Sequence, residues 1–295
     1  MPPAVLIVNP RASRVTPELT LAVERELAAA GAVETILTER PRHAAELAAE
    51  ACGRCERIYV YSGDGGYNEV VNGVDGEVAV GFLPGGSTSV LPRALGLPRD
   101  PVEAARLLAR GGERRISLGR VNGRRFTFSA GLGLDAELVR RIDEGGRPRG
   151  RRAGDAAFAL TLLGLFARRA GRFPPAMSVA GRERVAFALV ANCDPYSFVG
   201  RVPLRVAPEA RFELGLDVVA PRRLEPWLLP QVVRWVARGR GQTTSPHVLY
   251  LHDVDEVAIA CDRPTPLQVD GEDLGDVEEA RFTAERGALT VLVRG

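Results

Sequence analysis

The sequence predicts an α/β first half built on a mostly parallel sheet, followed by a β-rich and mainly antiparallel second half. Short apolar runs alternate with helix-type segments up to about residue 110, which is typical of parallel strands joined by helical crossovers. Beyond about residue 117, strand-type runs follow one another through polar turns, and Asn122-Gly123 is the strongest hairpin signal among them.

Each element of the first half has its own signal. Residues 4–9, AVLIVN, are typical of a buried strand, and Thr16-Pro17-Glu18 supplies the cap, first-turn proline and early acid of a helix that ends at Gly31. Further strands are predicted at 33–39, 57–63 and 78–84, with helices from His43, within 67–73 and in two segments up to about Arg110.

The second half is predicted to form a sandwich or flattened barrel, interrupted by helices near 154–170 and 226–238. We therefore expect an α/β domain over residues 1–117 and a β-sandwich domain over residues 118–287. The apolar helix predicted within residues 226–241 is interpreted either as a core helix or as a lipid-facing helix.

Composition excludes several chemistries. The chain has 295 residues, 45% of them hydrophobic and 26% charged, and its net charge of +2 favours neither a nucleic acid nor a membrane. All 39 basic residues are arginines, so a Walker lysine, a lysine Schiff base and a lysine general base are excluded. A phosphate site would have to use backbone N–H groups and arginine.

Targeting and metal signals are weak. We expect a cytoplasmic protein, because the first residues lack the pattern of a signal peptide and no apolar run reaches the roughly 18 residues of a membrane span. Cys52 and Cys55 have redox or zinc spacing, but nothing nearby completes a site. His247 and His252 are interpreted as structural.

Four turns of small or polar residues follow the predicted parallel strands. They begin at Asn9, Thr38, Ser62 and Pro84, and the third has the sequence Ser-Gly-Asp-Gly-Gly. Because ligands of open parallel sheets bind beyond the carboxyl ends of the strands, we expect these turns to converge at one edge. Glycine lets a backbone approach a ligand, although an ordinary turn is the alternative for Gly-Asp-Gly taken alone.

Residues Ser62 to Gly73 resemble the motif GGDGT-x-NEV-x-NG of the diacylglycerol kinase catalytic-domain family. That family includes bacterial lipid kinases and the sphingosine and ceramide kinases, and it is distantly related to NAD kinases. Further stretches are similar to family motifs in the same order, at residues 9–13, 84–93, 128–139 and 266–274. The resemblance therefore covers almost the whole chain.

This resemblance implies an NAD-kinase-like, Rossmann-like first domain, and a last strand near 288–295 that returns to it. It implies that ATP binds with Mg²⁺ in the cleft between the domains and that its γ-phosphate passes to the hydroxyl of a diacylglycerol-like lipid. The implied nucleotide contacts are Asn9, Thr38, Ser62, Gly63, Asp64, Gly65, Gly66, Asn68, Gly86 and Ser87.

The same resemblance places the general base at Glu272, beside Asp270, although Asp-Gly-Glu is also ordinary hairpin-turn chemistry. Asp64 would hold Mg²⁺ against the phosphates. A structural metal site of some bacterial members would map onto Glu213, where the usual Asp-Gly is replaced by Glu213-Leu214.

Two departures from the family pattern keep other functions open. Gly66 stands where the family has threonine, and Ser89-Val90 stands where it has Asn-Asp. These departures motivate one alternative, a nucleotide-binding regulator that has lost transfer. The other alternative is a soluble small-molecule hydroxyl kinase, closer in substrate to the NAD kinases.

A lipid substrate requires access to a membrane. Residues 140–152 contain six arginines and two acids, and the apolar segment 156–169 follows. We expect peripheral contact with the inner membrane face through 140–169, with a solvated loop and a core helix as the alternative. Edge strands of the second half offer a surface for a homodimer, and the sequence leaves the oligomeric state open.

Overall fold

The computed structural model describes residues 4–75, 78–144 and 155–295, and side chains of the last range from residue 160 onward. It divides into two units. The first contains the residues up to Ile116 together with Gly287–Gly295, and the second contains the described residues from Ser117 to Arg286. Arg147, Arg149, Arg151 and Arg152, which carry most of the predicted basic loop, lie outside the described residues.

The first unit is a parallel sheet with helical crossovers. The sheet order is β2-β1-β3-β4 followed by the end of β16, where Thr290 lies opposite Ala79. Its strands are β1 (Ala4–Val8), β2 (Val33–Leu37), β3 (Arg57–Ser62), β4 (Ala79–Pro84) and the end of β16 (Glu272–Val293). Its helices are α1 (Pro17–Ala28), α2 (His43–Ala51), α3 (Asp64–Gly73), α4 (Val90–Ala94) and α5 (Pro101–Ala109).

Local sequence signals account for these elements. The Thr16 hydroxyl accepts the Leu19 N–H at 3.2 Å and starts α1, and the Asp100 carboxylate starts α5 in the same way. All six residues of β4 are buried, as expected for a parallel strand that is covered on both faces. The hydrophobic core of the first unit includes Leu6, Tyr59, Leu83, Leu108 and Leu292.

The second unit is antiparallel. Its main sheet path is β14-β13-β10-β7-β15-β16, with β8–β9 attached to β15 and β5–β6 attached to β16, and β11–β12 is a separate ribbon. The strands are β5 (Gly112–Val121), β6 (Arg124–Phe126), β7 (Ser129–Leu132), β8 (Met177–Val179), β9 (Glu183–Val185), β10 (Ala188–Ala191), β11 (Ser197–Val199), β12 (Val202–Leu204), β13 (Leu216–Pro221), β14 (Val248–Val254) and β15 (Glu256–Val269). The helices are α6 (Leu134–Glu144), α7 (Asp155–Arg168), a 3-10 turn (Pro226–Leu228) and α8 (Leu229–Arg238).

The predicted fold class is confirmed. The Asn122-Gly123 turn joins β5 to β6 with both residues at positive φ, 46° and 90°, as a two-residue hairpin turn requires. Phe126, Val190, Val218, Ile259 and Phe282 lie in the core of this unit. None of the helices in the described ranges is both long and apolar enough to span a bilayer.

Candidate active site

The predicted turns of the first unit are joined by backbone hydrogen bonds at the carboxyl edge of its sheet. The Asn9 N–H donates to Tyr61 O at 3.0 Å, and the Gly85 N–H donates to Ser62 O at 2.7 Å. The Arg14 N–H then donates to Gly85 O at 2.9 Å, which closes the ring of turns. The strand ends therefore form one continuous backbone surface.

Of the outer members of the predicted set, Asn9 and Thr38 stabilise this surface, whereas Ser87 projects from it. The Asn9 side-chain oxygen accepts the Arg11 N–H at 3.0 Å and so stabilises its own turn. Thr38 is half-buried, and its N–H donates to Val8 O at 2.8 Å at the end of β2. Ser87 is exposed at the tip of the turn after β4.

At the centre of this edge, the turn after β3, which contains Gly63, packs directly against the turn after β4, which contains Gly85 and Gly86. A Cβ on Gly86 would lie 2.8 Å from Gly63 Cα, and a Cβ on Gly85 would lie 2.9 Å from Ser62 O, so side chains are sterically excluded there. Gly65 differs, because it is exposed and no heavy atom lies within 4 Å of the position its Cβ would take. We call residues Gly63–Gly66 the glycine turn.

The glycine turn opens α3. Gly63 is the N-cap residue and supplies no side-chain cap, and the first helical bond runs from the Tyr67 N–H to Gly63 O at 3.2 Å. The first N–H groups of a helix have no partner within the helix, and the helix dipole adds partial positive charge at that end. An uncapped helix start beside the exposed Gly65 is therefore suited to bind an anion such as a phosphate.

The Asp64 carboxylate does not point freely out of this turn. It is buried, and its Oδ1 accepts the N–H groups of Val90 at 2.7 Å and Leu91 at 3.4 Å. Asp64 therefore supplies the negative charge at the start of α4. The Val90 side chain, at the position of the family aspartate, is completely buried.

Tyr67 supports the two glycine turns, a role that sequence reasoning did not assign. Its ring is fully buried, and its hydroxyl lies 2.6 Å from Ser62 O and 2.7 Å from Leu83 O. Burial raises the pKa of Tyr67 well above its ordinary value, so the hydroxyl keeps the proton it donates. Tyr67 thus ties the end of β3 to the end of β4.

Glu69 and Gly73 of the motif fasten α3 to α2, whereas Asn68 and Asn72 bond within α3. Glu69 accepts the backbone N–H groups of Arg42 at 3.0 Å and Ala44 at 3.3 Å, at the start of α2. A Cβ on Gly73 would lie 2.1 Å from Ala45 O, so only glycine permits the close approach of the two helices. Asn68 is buried, and its backbone carbonyl accepts a hydrogen bond from the Asn72 amide.

The Ser62 side chain fills the space that a side chain at position 66 would need. A Cβ on Gly66 would lie 2.1 Å from Ser62 Oγ and 2.8 Å from Ser62 Cβ. The Ser62 hydroxyl is buried and has no hydrogen-bond partner within the described chain. Since the family has glycine at the first of these positions and threonine at the second, the chain carries the hydroxyl side chain on the strand instead of on the helix.

In the second unit, Asp270 holds a two-residue hairpin turn. Asp270 and Gly271 take φ values of 48° and 80° between β15 and β16. The Asp270 carboxylate is buried and accepts the N–H groups of Thr127, Phe128 and Ser129 at 2.8–3.2 Å, as well as the Thr127 hydroxyl at 2.9 Å. These hydrogen bonds fix the turn, and the catalytic role of Asp270 stays a prediction.

A second, half-buried carboxylate, that of Asp135, supports the same turn. Gln268 accepts the Gly271 N–H at 2.8 Å and donates to Asp135, which also accepts the Tyr196 hydroxyl. Burial raises the pKa of Asp135, and the two hydrogen bonds act in the opposite direction. A Cβ on Gly131 would lie 2.1 Å from Asp135 Oδ2, which explains the glycine there.

Glu272 is the first residue after this turn, and its side chain faces solvent. Its side chain is 53% exposed, and its Oε2 lies 2.5 Å from Arg124 Nη2. A cavity of about 500 Å³ in the same unit is lined by apolar Leu134, Phe173 and Met177 and by arginines that include Arg140. The lining and Glu272 are close in space, because Arg140 donates to the carboxylate of Asp273, the residue after Glu272, at 2.8 and 3.0 Å.

The described residues do not build a metal centre. They contain no group of three His, Cys, Asp or Glu side chains arranged to hold an ion. Glu213 is exposed, and the His252 Nδ1 lies 2.8 Å from Asp217. Cys52 and Cys55 are free thiols. The assignments of Mg²⁺ to Asp64 and of a structural metal to Glu213 therefore stay predictions.

An open parallel sheet with an uncapped, glycine-flanked helix start at its carboxyl edge is an arrangement that can bind a phosphate. Residues 3–121 match the family model described as the diacylglycerol kinase catalytic domain. This part of the chain is therefore similar to that family, as the motifs indicated.

Individual proteins of the same description are also similar to part of this chain. A diacylglycerol kinase of Bacillus subtilis (strain 168) is 41% identical over 101 residues, and one of Staphylococcus carnosus (strain TM300) is 34% identical over 86 residues. These matches cover 33% and 28% of this chain and the same shares of the two relatives. The chain therefore aligns with a third or less of the length of either relative.

Solved structures show that the fold extends over the whole chain. A diacylglycerol kinase from Bacillus anthracis str. Sterne superposes with a TM-score of 0.74 at 17% identity, covering 99% of this chain and 97% of its own. An NAD kinase from Archaeoglobus fulgidus, solved in complex with ATP, is a more distant neighbour, with a TM-score of 0.51, 11% identity and coverage of 99% and 94%.

Proposed function

We propose that this protein is a lipid kinase that transfers the γ-phosphate of ATP to the hydroxyl of a diacylglycerol-like lipid. The observation that carries the proposal is the uncapped start of α3 at the exposed glycine turn, which offers backbone N–H donors to a phosphate. The family match of residues 3–121 supports the same function.

Glu272 is the residue we assign as general base. In the proposed reaction the acceptor hydroxyl oxygen attacks the γ-phosphorus, and the bond from that phosphorus to the bridging oxygen of the β-phosphate breaks. Glu272 takes the hydroxyl proton, and ADP and the phosphorylated lipid are released. The exposure of Glu272 on a turn fixed by Asp270 and Gln268 supports this role.

The cavity beside α6 is the place we propose for the acceptor. The apolar part of its mixed lining suits acyl chains, and Arg140 connects this lining to the strand that begins with Glu272. Mg²⁺ is proposed only as the companion ion of the ATP phosphates, which usually provide several of its ligands.

A second candidate function is a nucleotide-binding regulator without transfer. The observation that favours it is the commitment of Asp64 to the start of α4, together with the buried Val90 at the position of the family aspartate. Such a protein would bind ATP at the glycine turn and release no ADP.

The test is incubation of the protein with γ-labelled ATP and Mg²⁺ in three parallel reactions, with vesicles of total lipid extract, with the water-soluble extract, and with neither. We expect label in an organic-phase lipid and stoichiometric ADP in the first reaction only. Label confined to a water-soluble product would instead support a soluble-hydroxyl kinase. ATP binding by calorimetry without ADP in any reaction would support the regulator and overturn the proposal.

A further inference from the structure

The helix α8 and the 3-10 turn before it carry an exposed apolar stripe. Trp227 and Val233 are 65% and 66% exposed, and Pro230 and Ala237 are also exposed. The spacing of three to four residues places all four on one side of the segment, opposite the buried Trp235. Apart from a contact between the Trp227 ring and His247, the stripe therefore faces solvent.

The ribbon β11–β12 adds a second exposed apolar element beside α8. The strand β12 packs against α8, and the Arg205 N–H that follows it donates to Val236 O at 2.9 Å. At the tip of the ribbon, Val199 and Val202 are 43% and 57% exposed. Two neighbouring segments thus expose four large apolar side chains, a concentration that indicates an interaction site.

The charge around this surface is of one sign. Residues 226–241 contain Arg234, Arg238 and Arg240 and no acid, and the ribbon tip adds Arg201 with no acid between 197 and 205. All four arginines are exposed, and none forms an ion pair with a described residue. Some exposed arginines elsewhere are compensated, as Arg40, Arg184 and Arg281 are by Glu46, Asp262 and Glu279.

We propose that α8 and the tip of β11–β12 form a docking surface for an anionic lipid bilayer. An interfacial helix combines an apolar face with arginines, and tryptophan favours the boundary between headgroups and acyl chains. Guanidinium groups bind lipid phosphates in pairs of hydrogen bonds. The apolar stripe and the uncompensated arginines are the two observations that favour a lipid surface, and the proposal does not depend on phosphoryl transfer.

The edge-on contact between the rings of Trp227 and His247, with centroids 5.5 Å apart, holds the indole at the surface. The chain has only two tryptophans, and the other one, Trp235, is buried. A change in tryptophan emission on vesicle binding therefore reports Trp227. This provides a probe of depth that needs no added label and no ATP.

The experiment measures partitioning of the full chain to vesicles of phosphatidylcholine, alone or with 30% phosphatidylglycerol, by sedimentation and by tryptophan emission with brominated lipids. We expect binding only to the anionic vesicles, weakened by salt, with a blue shift and bromine quenching that Trp227→Phe removes. The variant Arg234→Gln, Arg238→Gln, Arg240→Gln is expected to lower the partition coefficient about a hundredfold, at about fivefold per arginine.

The matched control carries the same charge change at compensated sites, Arg40→Gln, Arg184→Gln, Arg281→Gln, and is expected to remain within about threefold of the unmodified protein. Equal binding by both triple variants would assign the contact to another part of the chain and overturn the proposal. So would binding with unchanged Trp227 emission. A Trp227-dependent dimer without vesicles, measured by light scattering, would assign the face to a second copy.

Discussion

Placing the family threonine at Gly66 should destabilise the protein unless Ser62 is reduced at the same time. The Cβ of a residue at 66 would lie 2.1 Å from Ser62 Oγ and 2.8 Å from Ser62 Cβ, whereas nonbonded carbon atoms prefer about 3.5–4.0 Å. Overpacking of this kind typically costs about 1–3 kcal/mol. We therefore expect Gly66→Thr to lower the free energy of unfolding by that amount.

The double variant Ser62→Gly, Gly66→Thr should recover most of this loss, because the threonine then fills the space that the serine vacates. Ser62→Gly alone loses about 0.5–1 kcal/mol to strand flexibility and removes a buried hydroxyl without a partner. Urea unfolding of all four proteins gives the coupling energy, expected to exceed about 1 kcal/mol in favour of the pair. Gly65→Thr, at a site with open space, is the matched control and should leave stability nearly unchanged.

Additive effects of the two changes, or a Gly66→Thr variant as stable as the unmodified protein, would refute the claim that the two positions share one space. ATP titration of the same proteins adds a second measurement. Gly65→Thr is expected to weaken ATP binding while stability holds, since it places a side chain where the phosphate must approach.

Three further predictions concern the carboxylates. Glu272→Gln should lower turnover by about 10²- to 10⁴-fold with ATP affinity unchanged, while Glu279→Gln, an exposed glutamate on the same strand, should leave turnover unaltered in a coupled ADP assay. Asp64→Ala should cost about 1–2 kcal/mol of stability through loss of the α4 cap, while Asp64→Asn keeps an acceptor oxygen and should retain most of it in urea unfolding. Arg140 lowers the pKa of Asp273, so the pair stabilises the fold above the ordinary aspartate range near pH 4 and the benefit is lost as pH falls below it. Arg140→Leu should therefore be less stable than the unmodified protein at pH 7 by about 1–3 kcal/mol, with the difference shrinking towards pH 2.5 in denaturant titrations. An Arg140→Leu deficit that is independent of pH would contradict this reasoning.

Local chemistry made the frame of this fold predictable. The caps at Thr16 and Asp100, the apolar runs of β3 and β4 and the Asn122-Gly123 turn each act within a few residues, so the sequence contains the whole cause. The turns at the carboxyl edge were predictable for the same reason, because a parallel sheet brings the ends of its strands together.

The hydrogen-bond partners of the acidic side chains were not predictable, because these partners lie far along the chain. Asp64 accepts from Val90, 26 residues away, and Asp270 accepts from Thr127, 143 residues away. A local pattern such as Gly-Asp-Gly or Asp-Gly-Glu does not show whether its acid faces a ligand or a distant backbone. The sequence also did not predict that β16 is 22 residues long. Its many polar residues are typical of a loop, and only the pairing with β15 shows that they form a strand.

Glu69, Tyr67 and Gly73 fasten α3 to its neighbours. This affects how catalytically active proteins of this fold can be recognised from sequence. A descendant that lost phosphoryl transfer would still need these residues to keep two helices and two strand ends together, and so would keep most letters of the motif. Selection for folding and selection for catalysis therefore leave separate marks within one short segment. The open position at Gly65 and the acid at Glu272 are where relaxed selection on catalysis would first become visible.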